Sequence, residues 1–351
     1  MLLGIKKNKE FIAEAEYSCI ISFCGILPAQ SMQFSKNLIE EELAIFEKKF
    51  AKAVKSETPL LDRIMKFIIK RKGKQLRPMF VFLSAKLHGT VNESTYRAAA
   101  LVELMHTATL VHDDVVDESL ERRGFFSINA LWKNKIAVLV GDYLLSKGLL
   151  LSAEANDFKH LHILSAAVKQ MSEGELLQIE KSRKLNLKED IYFEIIRSKT
   201  ASLLSSACGV GAWSTSQDEA ITNKMKLFGE KTGIAFQIKD DLFDFGKEDI
   251  GKPTGNDIKE KKLTLPLIYT LNNISSTKRR QLIYIIKNEN KNPEKIKIVL
   301  DAVVETGGIK YATQKMYEYR AEALSILYQF AESDVRKGLE ELVRYTTDRK
   351  Y

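Results

Sequence analysis

Hydrophobic side chains recur every three to four positions along the chain from residue 36 onward. An early example is the series Leu43, Phe46, Phe50 and Val54, whose spacing places all four side chains on one face of an α-helix. Alternating runs of β-branched residues bounded by turns, which are typical of strands, do not occur in the sequence. The pattern therefore predicts an all-α fold. Its helical windows are 60–68, 78–88, 94–117, 128–152, 160–181, 190–213, 218–245, 264–273, 276–288, 294–305, 309–330 and 333–346.

Two of these windows, 94–117 and 218–245, are apolar on nearly every face until they reach a group of carboxylates. Helices with this character are buried, so we expect both to lie at the centre of the protein. No internal stretch rich in Pro, Gly or Ser divides the chain, and residues 32–351 are predicted to form a single domain. Residues 1–31 differ, because a lysine-rich start precedes a short apolar run that follows several glutamates. We interpret them as an N-terminal extension that is disordered or that reflects a start assigned upstream of Met32.

The carboxylates that end the two central windows form triads with the same spacing. The triads are Asp113, Asp114 and Asp117, and Asp240, Asp241 and Asp244. Aspartates four positions apart share one face of a helix and repel each other, so an isolated helix gains nothing from them. Two facing triads would instead offer hard oxygen ligands of the kind that hold Mg²⁺ against phosphate groups. One triad alone is also compatible with a self-neutralising patch that includes Arg122 and Arg123, but six buried carboxylates need a stronger countercharge.

Basic and polar residues at three other places are candidate phosphate ligands. Lys74 and Arg77 lie in a basic turn just before a helix, where the helix N-terminus attracts phosphate, although a solvated connector has the same composition. His106 lies two turns before the first triad on the same side of the helix, and a core histidine would fit there equally. Lys199 and Thr200 interrupt an apolar helix of small residues, which favours an inward-facing phosphate contact.

A loop at 251–262 combines two glycines with several lysines, including Lys252 and Lys262. One interpretation is a mobile surface loop. The other is a lid that closes over a bound diphosphate.

Composition and charge narrow the classes of function. Hydrophobic residues at 45% and a formal net charge of +8 are ordinary for a globular protein. The basic residues are scattered and not interleaved with aromatic ones, so nucleic-acid binding is not expected. The cysteines form neither a disulfide framework nor a metal-ligand pattern, and we expect a cytoplasmic protein. No apolar stretch is expected to reach the ~20 residues that span a membrane.

Several motifs occur together in one order. Besides the two aspartate triads, they are Gly73-Lys74-Gln75-Leu76-Arg77-Pro78, Arg122-Arg123-Gly124, Lys199-Thr200-Ala201, Phe236-Gln237 and Gly251-Lys252-Pro253-Thr254-Gly255-Asn256-Asp257. Over residues 72–262 the sequence resembles the trans-prenyltransferases, or polyprenyl diphosphate synthases, of the long-chain, octaprenyl type. Lys72 departs from the family, which commonly has a glycine there, and His106 stands where some members have glutamine. The resemblance implies an isoprenoid synthase fold, a helical bundle around a central cavity, in a homodimer.

The resemblance also implies a role for each matching residue. Asp113, Asp117, Asp240 and Asp244 would hold Mg²⁺, and Asp114 and Asp241 would complete the acidic cage. The residues that would bind the allylic diphosphate are Arg122, Lys199, Thr200, Gln237, Lys252 and Lys262. The residues that would bind isopentenyl diphosphate are Lys74, Arg77, His106 and Arg123.

The implied reaction is condensation of an allylic diphosphate, such as farnesyl diphosphate, with successive isopentenyl diphosphates. The allylic C–O bond ionises, isopentenyl diphosphate attacks the carbocation, and released pyrophosphate accepts the departing proton. Short-chain members carry bulky aromatic residues one turn before the first triad, where this chain has Ala108 and Thr109. A tunnel past these small residues, narrowed further back by Met105 and Val102, would accommodate about seven to ten isoprene units, with about eight, or about C40, expected. Such a product would serve quinone side chains, and its release would bring the protein into peripheral contact with a membrane.

Three other functions remain open at the level of sequence. A shorter-chain synthase that makes farnesyl or geranylgeranyl diphosphate would carry the same motifs. A class I terpene cyclase shares the fold but needs neither the second complete triad nor the Lys74, Arg77 and Arg123 set. A non-catalytic subunit of a two-component synthase usually has eroded aspartate motifs, whereas both are complete here.

Overall fold

The structure is a computed structural model that describes residues 32–70, 73–119, 121–122, 125–184, 188–245 and 255–349. For residues 121, 122, 125, 183 and 184 it describes the backbone alone. The predicted extension at residues 1–31 lies outside the described residues, as do Arg123 and Lys252.

Helices make up nearly all of the described chain, which confirms the all-α prediction. They are α1 (Gln33–Asn37), α2 (Glu40–Ala53), α3 (Pro59–Lys70), α4 (Leu76–Lys86), α5 (Glu93–Val116), α6 (Ile128–Ala153), α7 (Phe158–Lys184), α8 (Glu189–Ile196), α9 (Ser202–Ser216), α10 (Glu219–Phe243), α11 (Asn256–Lys259), α12 (Leu265–Asn272), α13 (Ser276–Asn288), α14 (Pro293–Thr306), α15 (Gly308–Leu327) and α16 (Asp334–Asp348). A π-helical turn, Arg197–Ala201, joins α8 directly to α9. Among the described residues, the strands are confined to one short antiparallel hairpin, β1 (Glu121–Arg122) with β2 (Phe125–Phe126).

The two helices that carry the aspartate triads begin at side-chain caps. Asn92 accepts a hydrogen bond from the backbone N–H of Thr95, and the Thr95 hydroxyl bonds back to the Asn92 backbone, which forms a capping box before α5. Asp218 accepts from the Ile221 N–H before α10. Such caps satisfy backbone donors that have no partner within the helix. They fix where each helix starts, and therefore which turn carries the triad at its other end.

The core consists of two hydrophobic clusters that share helix α10. The first packs α4, α5, α6, α9 and α16, and the α10 residues Met225 and Phe228 belong to it. The second packs α8 with α12 to α15, and Ile234 and Ile238 of α10 belong to it. Helix α10 therefore contributes to both clusters: its first third exposes Asn223, Lys224 and Leu227, whereas from Phe228 onward its residues are buried or half-buried.

Helix α6 is the one described helix that is long and apolar enough to cross a membrane by length and composition, with a mean hydropathy of 1.6 and one third of that window buried. The expectation that no apolar stretch reaches this length is therefore wrong for α6. The run is hard to see in the sequence because Asp142 and Lys147 interrupt it. The backbone also leaves helical geometry at Lys133 (φ 73°, ψ 157°). One face of α6 packs along α5, and the other exposes apolar side chains, among them Leu139 and Leu150.

Candidate active site

The first aspartate triad lies at the C-terminal end of α5. Asp113 and Asp114 are in its last turn and Asp117 is the C-cap residue. Asp114 is buried, Asp113 is half-buried and Asp117 is exposed. Negative charge at a helix C-terminus opposes the helix dipole, so this arrangement costs stability unless a cation is nearby. The amide of Asn129 donates to the Asp114 backbone carbonyl at 3.1 Å, which ties the end of α5 to the start of α6.

The second triad lies at the C-terminal end of α10. Asp241 is buried, and both of its carboxylate oxygens accept hydrogen bonds. The Tyr192 hydroxyl donates to Oδ2 at 2.6 Å and the Gln237 amide donates to Oδ1 at 2.9 Å. Gln237 in turn accepts a hydrogen bond from the Thr200 hydroxyl at 2.8 Å. The predicted ligands Thr200 and Gln237 therefore belong to one network with the triad.

Asp244, the last member of the second triad, holds the chain that follows the loop. Its two carboxylate oxygens accept the backbone N–H groups of Asn256 at 2.8 Å and Asp257 at 3.1 Å. Each oxygen keeps a further lone pair, because an ionised carboxylate has about four acceptor positions. Asp244 therefore positions Asp257 at the site and can still bind a cation.

Three carboxyl groups at and beside the second triad have raised pKa values. Burial raises the pKa of Asp241 to about 6, although hydrogen bonds from Tyr192 and Gln237 act in the opposite direction. Burial, followed by the charges of Asp241 and Asp244, raises the pKa of Asp257 to about 8. Burial also raises the pKa of Asp244. An additional cation would stabilise all three ionised groups.

Lys262 connects the two triads electrostatically. Burial alone would lower its pKa, but the hydrogen bond to Glu260 and the charges of Glu260, Asp257 and Asp117 together raise it. Asp117 belongs to the first triad, whereas Asp257 and Asp241, which Lys262 also influences, lie at the second. The ammonium group of Lys262 therefore lies within electrostatic reach of Asp117 of the first triad and of Asp241 of the second.

A cavity of about 200 Å³ opens beside the second triad. Its lining comes from α7, α8, the π-helical turn, α10 and the chain after the loop. The lining residues are Gln178, Ser182, Tyr192, Ile195, Ile196, Lys199, Thr200, Gln237, Asp241, Asp257, Lys262, Leu263 and Thr264. Predicted phosphate ligands Lys199, Thr200, Gln237 and Lys262 are thus brought together in one cavity.

The π-helical turn Arg197–Ala201 places Lys199 and Thr200 in this cavity. Lys199 forms an ion pair with Glu175 of α7, and α7 approaches so closely at Gly174 that an added Cβ would lie 2.8 Å from Cβ of Ser198. Single π-turns inside helices occur frequently at functional sites. The sequence window 190–213 predicted one continuous helix, so this interruption was missed.

The residues predicted to bind isopentenyl diphosphate are only partly described. Lys74 donates a hydrogen bond to the hydroxyl of Tyr345 on α16 at 2.6 Å. Arg77 lies in the first turn of α4, and His106 is a half-buried residue of α5. Arg123 lies outside the described residues, and its neighbour Arg122, which is predicted to bind the allylic diphosphate instead, lies on β1 with only its backbone described. These ligand assignments stay predictions.

The predicted chain-length residues lie along α5 before the first triad. Ala108 is completely buried in the core, and Thr109 is half-buried with its hydroxyl donating to the His106 carbonyl at 2.9 Å. Met105 packs against α6 at Gly148, where an added Cβ would lie 2.6 Å from the Met105 terminal methyl. Thr109 is therefore the more accessible of the two small residues, and the tunnel stays a prediction.

Sequence reasoning missed four residues that contact the predicted ones. Tyr192 donates to Asp241, Glu175 pairs with Lys199, and Arg349 pairs with Asp240. The fourth is Asp257, which ends a motif that was recognised but to which no role was given. Two of the four could have been found from the sequence near a predicted residue. Tyr192 precedes Lys199 by about two helical turns, which places both on the same side of a helix, and Asp257 is the last residue of the recognised motif.

Mg²⁺ is the ion that the resemblance implies, and the residues fit it. Within the part of the chain that the structure describes, no three His, Cys, Asp or Glu side chains are gathered to hold one ion. Mg²⁺ does not require such a group, because it keeps several waters and is bound by one or two carboxylates plus substrate phosphates. The acidic surroundings of Asp241, Asp244 and Asp257 match that chemistry.

Comparison with known proteins gives concordant matches over most of the chain. The family described as polyprenyl synthetase matches residues 58–303. The heptaprenyl diphosphate synthase component 2 of Bacillus subtilis is 31% identical over 320 residues, which cover 90% of this chain and 90% of the relative. The octaprenyl diphosphate synthase of Escherichia coli is 31% identical over 317 residues, covering 89% and 97%. A polyprenyl synthase structure from Caulobacter crescentus, complexed with calcium and isoprenyl diphosphate, matches with a TM-score of 0.85 at 32% identity, covering 93% and 100%.

Proposed function

The chain belongs to the polyprenyl synthetase family, and from that premise we propose that it extends farnesyl diphosphate with isopentenyl diphosphate to an all-trans product of about C40. It is a prenyltransferase with the isoprenoid synthase fold and a trans-polyprenyl diphosphate synthase of the long-chain type. The observation that carries the proposal is the cavity beside the second triad, which Lys199, Thr200, Gln237 and Lys262 line together with Asp241 and Asp257. A diphosphate in that cavity would meet cationic and polar donors from the first four side chains, and Mg²⁺ held by the aspartates would offset its remaining charge.

The described cationic and polar side chains would act on the leaving diphosphate. Lys199, Thr200, Gln237 and Lys262 line the cavity beside the second triad and would bind its oxygens. Charge-assisted hydrogen bonds aimed at the charge that develops on the leaving group lower the barrier to ionisation. Mg²⁺, held by Asp113, Asp117, Asp240 and Asp244, would supply further neutralisation of the diphosphate.

The second substrate would bind on the side of α4. Lys74 and Arg77 flank the start of that helix and, with His106 and Arg123, would hold the diphosphate of isopentenyl diphosphate. In that position its double bond would face the carbocation. No described side chain has the placement of a dedicated base, and we assign proton acceptance to the released pyrophosphate.

The product length follows from α5. Ala108 and Thr109 are small, so they leave room for a growing chain, and we set the product at about eight isoprene units. The relatives include both a heptaprenyl and an octaprenyl synthase, and a shorter-chain synthase is the alternative. A long product supports a role in quinone side chains and peripheral membrane contact during release by a cytoplasmic enzyme.

Helix α6 supports a homodimer. Its outward face exposes five apolar side chains, Leu131, Val138, Leu139, Leu149 and Leu150. Apolar side chains exposed along one helix favour an interaction surface, and a second copy would bury them by two-fold pairing. A different partner subunit is the second candidate, because the Bacillus subtilis relative is named as component 2 of its synthase.

One experiment separates these possibilities. The purified chain is incubated with Mg²⁺, farnesyl diphosphate and labelled isopentenyl diphosphate, the product length is determined by chromatography, and the oligomeric state is determined by light scattering. A labelled product of about C40 made by a dimer supports the proposal. A product of C20 or shorter supports the short-chain alternative, and an inactive chain supports the two-component alternative. A hydrocarbon product without a diphosphate would indicate a terpene cyclase.

A further inference from the structure

Tyr192 is a buried tyrosine whose hydroxyl reaches the second aspartate triad. It lies on α8 with 3% of its surface exposed, and its hydroxyl donates to Oδ2 of Asp241 at 2.6 Å. The resemblance to known synthases assigns it no role. Its hydroxyl is the donor in this pair, because an ionised carboxylate can only accept.

The ring and the hydroxyl of Tyr192 have separate surroundings. The ring belongs to the second hydrophobic cluster and contacts Phe193 with ring centroids 5.3 Å apart. These contacts would hold a phenylalanine equally well. The hydroxyl, in contrast, points at a carboxylate in the cavity wall, so a purely structural role accounts for the ring and leaves the hydroxyl unexplained.

The hydrogen bond from Tyr192 completes a chain across three elements. Thr200 in the π-helical turn donates to Gln237 on α10, Gln237 donates to Asp241, and Tyr192 on α8 donates to the other oxygen of Asp241. This series of hydrogen bonds therefore links the π-helical turn, which carries Lys199 and Thr200, to α10, which carries the triad. It also links α10 to α8, the helix that leads directly into the π-helical turn. Because both Asp241 oxygens are occupied, the plane of its carboxylate is fixed.

We propose that Tyr192 is a positioning residue that acts through Asp241 to hold the metal-binding aspartates at the correct distance from the diphosphate ligands Lys199 and Thr200. This inference rests on the proposed function of the site. In this arrangement two side-chain donors orient Asp241, and Asp240 and Asp244, which would bind the ion, lie beside it at the C-terminal end of α10. Outer partners that orient metal-binding groups typically change metal affinity or activity by about 10- to 100-fold when they are removed.

The test variant is Tyr192→Phe, which removes one hydroxyl and keeps the ring. The chain offers a matched control in Tyr311→Phe, because the Tyr311 hydroxyl donates to the Glu189 carboxylate on the same helix α8, also at 2.6 Å, outside the cavity. Each variant loses one hydrogen bond from a tyrosine hydroxyl to a carboxylate, and in each case α8 carries one of the two partners. A general loss of α8 stability would therefore affect both alike.

Two measurements distinguish positioning from packing. Electron paramagnetic resonance gives the affinity of the enzyme for Mn²⁺ in the presence of inorganic pyrophosphate, and steady-state kinetics gives kcat and the KM for isopentenyl diphosphate. We expect Tyr192→Phe to weaken Mn²⁺ binding and to lower kcat by about tenfold each. The KM for isopentenyl diphosphate should not change, because its ligands lie on other elements. Tyr311→Phe should have the same Mn²⁺ affinity, kcat and KM for isopentenyl diphosphate as the unchanged enzyme.

A double-mutant cycle tests whether Tyr192 acts through Asp241. If it does, adding Tyr192→Phe to Asp241→Asn causes no further loss of Mn²⁺ affinity, since interacting residues are not additive. Additive losses, or a Tyr192→Phe variant that binds Mn²⁺ as well as Tyr311→Phe does, would overturn the proposal. If Tyr192→Phe does not fold, the test is Asp241→Asn alone, which must bind Mn²⁺ more weakly than the unchanged enzyme. Normal Mn²⁺ affinity in Asp241→Asn would also overturn the proposal.

The result can be separated from failure of the proposed function. The affinity for Mn²⁺ and pyrophosphate does not depend on which prenyl product the enzyme makes. An unchanged enzyme that forms no polyprenyl product but loses Mn²⁺ affinity with Tyr192→Phe would refute the function and retain the positioning role. An unchanged enzyme that makes the polyprenyl product, together with a Tyr192→Phe variant of unaltered Mn²⁺ affinity, would support the proposed function and refute the positioning role.

Discussion

The guanidinium group of Arg349 forms an ion pair with the carboxylate of Asp240, the first residue of the second triad. It lies over the ring of Phe236 at 4.2 Å and near that of Phe243 at 5.3 Å from the centroids. Its Nε atom is buried and has no hydrogen-bond partner among the described residues. A protein cation therefore stands next to a carboxylate that is predicted to bind Mg²⁺.

Arg349 should compete with the metal for Asp240. Replacing it as Arg349→Gln removes the positive charge, so we expect the substrate-free enzyme to bind Mn²⁺ several-fold more tightly, because like charges repel at short range. Electron paramagnetic resonance titration of free Mn²⁺ measures this. The control is Arg344→Gln on the same helix, which loses an equal charge that pairs with Glu340. Weaker Mn²⁺ binding by Arg349→Gln would mean that Arg349 supports the site rather than competing for it.

The triads could be predicted from the sequence, whereas the partners of Arg349 and Tyr192 could not. Each triad lies within one helix turn, so its spacing in the sequence is also its arrangement in space. The partner of Arg349 is 109 residues away in the chain and that of Tyr192 is 49 residues away. Contacts over such separations depend on how helices pack, which hydrophobic periodicity does not specify. The same periodicity predicted the all-α fold and most helices, but could not indicate a π-helical turn at Arg197–Ala201.

Asp117→Asn should abolish most turnover and leave the fold intact. The side chain is exposed at the C-cap of α5, where a carboxylate opposes the helix dipole and asparagine does not. We therefore expect the unfolding temperature of the metal-free variant to stay level or rise slightly while kcat falls by orders of magnitude. Calorimetry and the prenyl-transfer assay measure the two effects. A variant with near-normal kcat would remove Asp117 from the metal ligands.

The stability of the metal-free enzyme should decrease as the pH rises from about 6.5 to about 8. The pKa values of Asp241 and Asp257 are raised to about 6 and about 8, whereas an aspartate in an unfolded chain titrates near 4. Above about pH 6.5 the folded chain still holds a proton on Asp257 that the unfolded chain has released, so the free energy of unfolding falls through that range. At lower pH the burial of His160, which lowers its pKa to about 4, acts in the opposite direction. Thermal unfolding at a series of pH values measures the slope.

The same experiment has two controls. Mg²⁺ with pyrophosphate should reduce the slope, because a bound cation stabilises the ionised carboxylates. Asp257→Asn should reduce it as well, whereas Asp301→Asn, which removes an exposed carboxylate paired with Lys297, should leave it unchanged. An equal slope in Asp257→Asn and the unchanged enzyme would contradict the high pKa of Asp257.

A bulky residue at Thr109 should shorten the product. Ala108 is completely buried, so Ala108→Phe would overpack the core at a cost of about 1–3 kcal/mol, whereas Thr109 is half-buried and has room for a ring. If the growing chain passes this turn of α5, Thr109→Phe should block it and shift the product towards about C20. Thr107→Phe is the control, because two positions along a helix turn a side chain to a nearly opposite face. Equal product lengths from both variants, determined by chromatography of the labelled prenyl alcohols, would place the tunnel away from this face of α5.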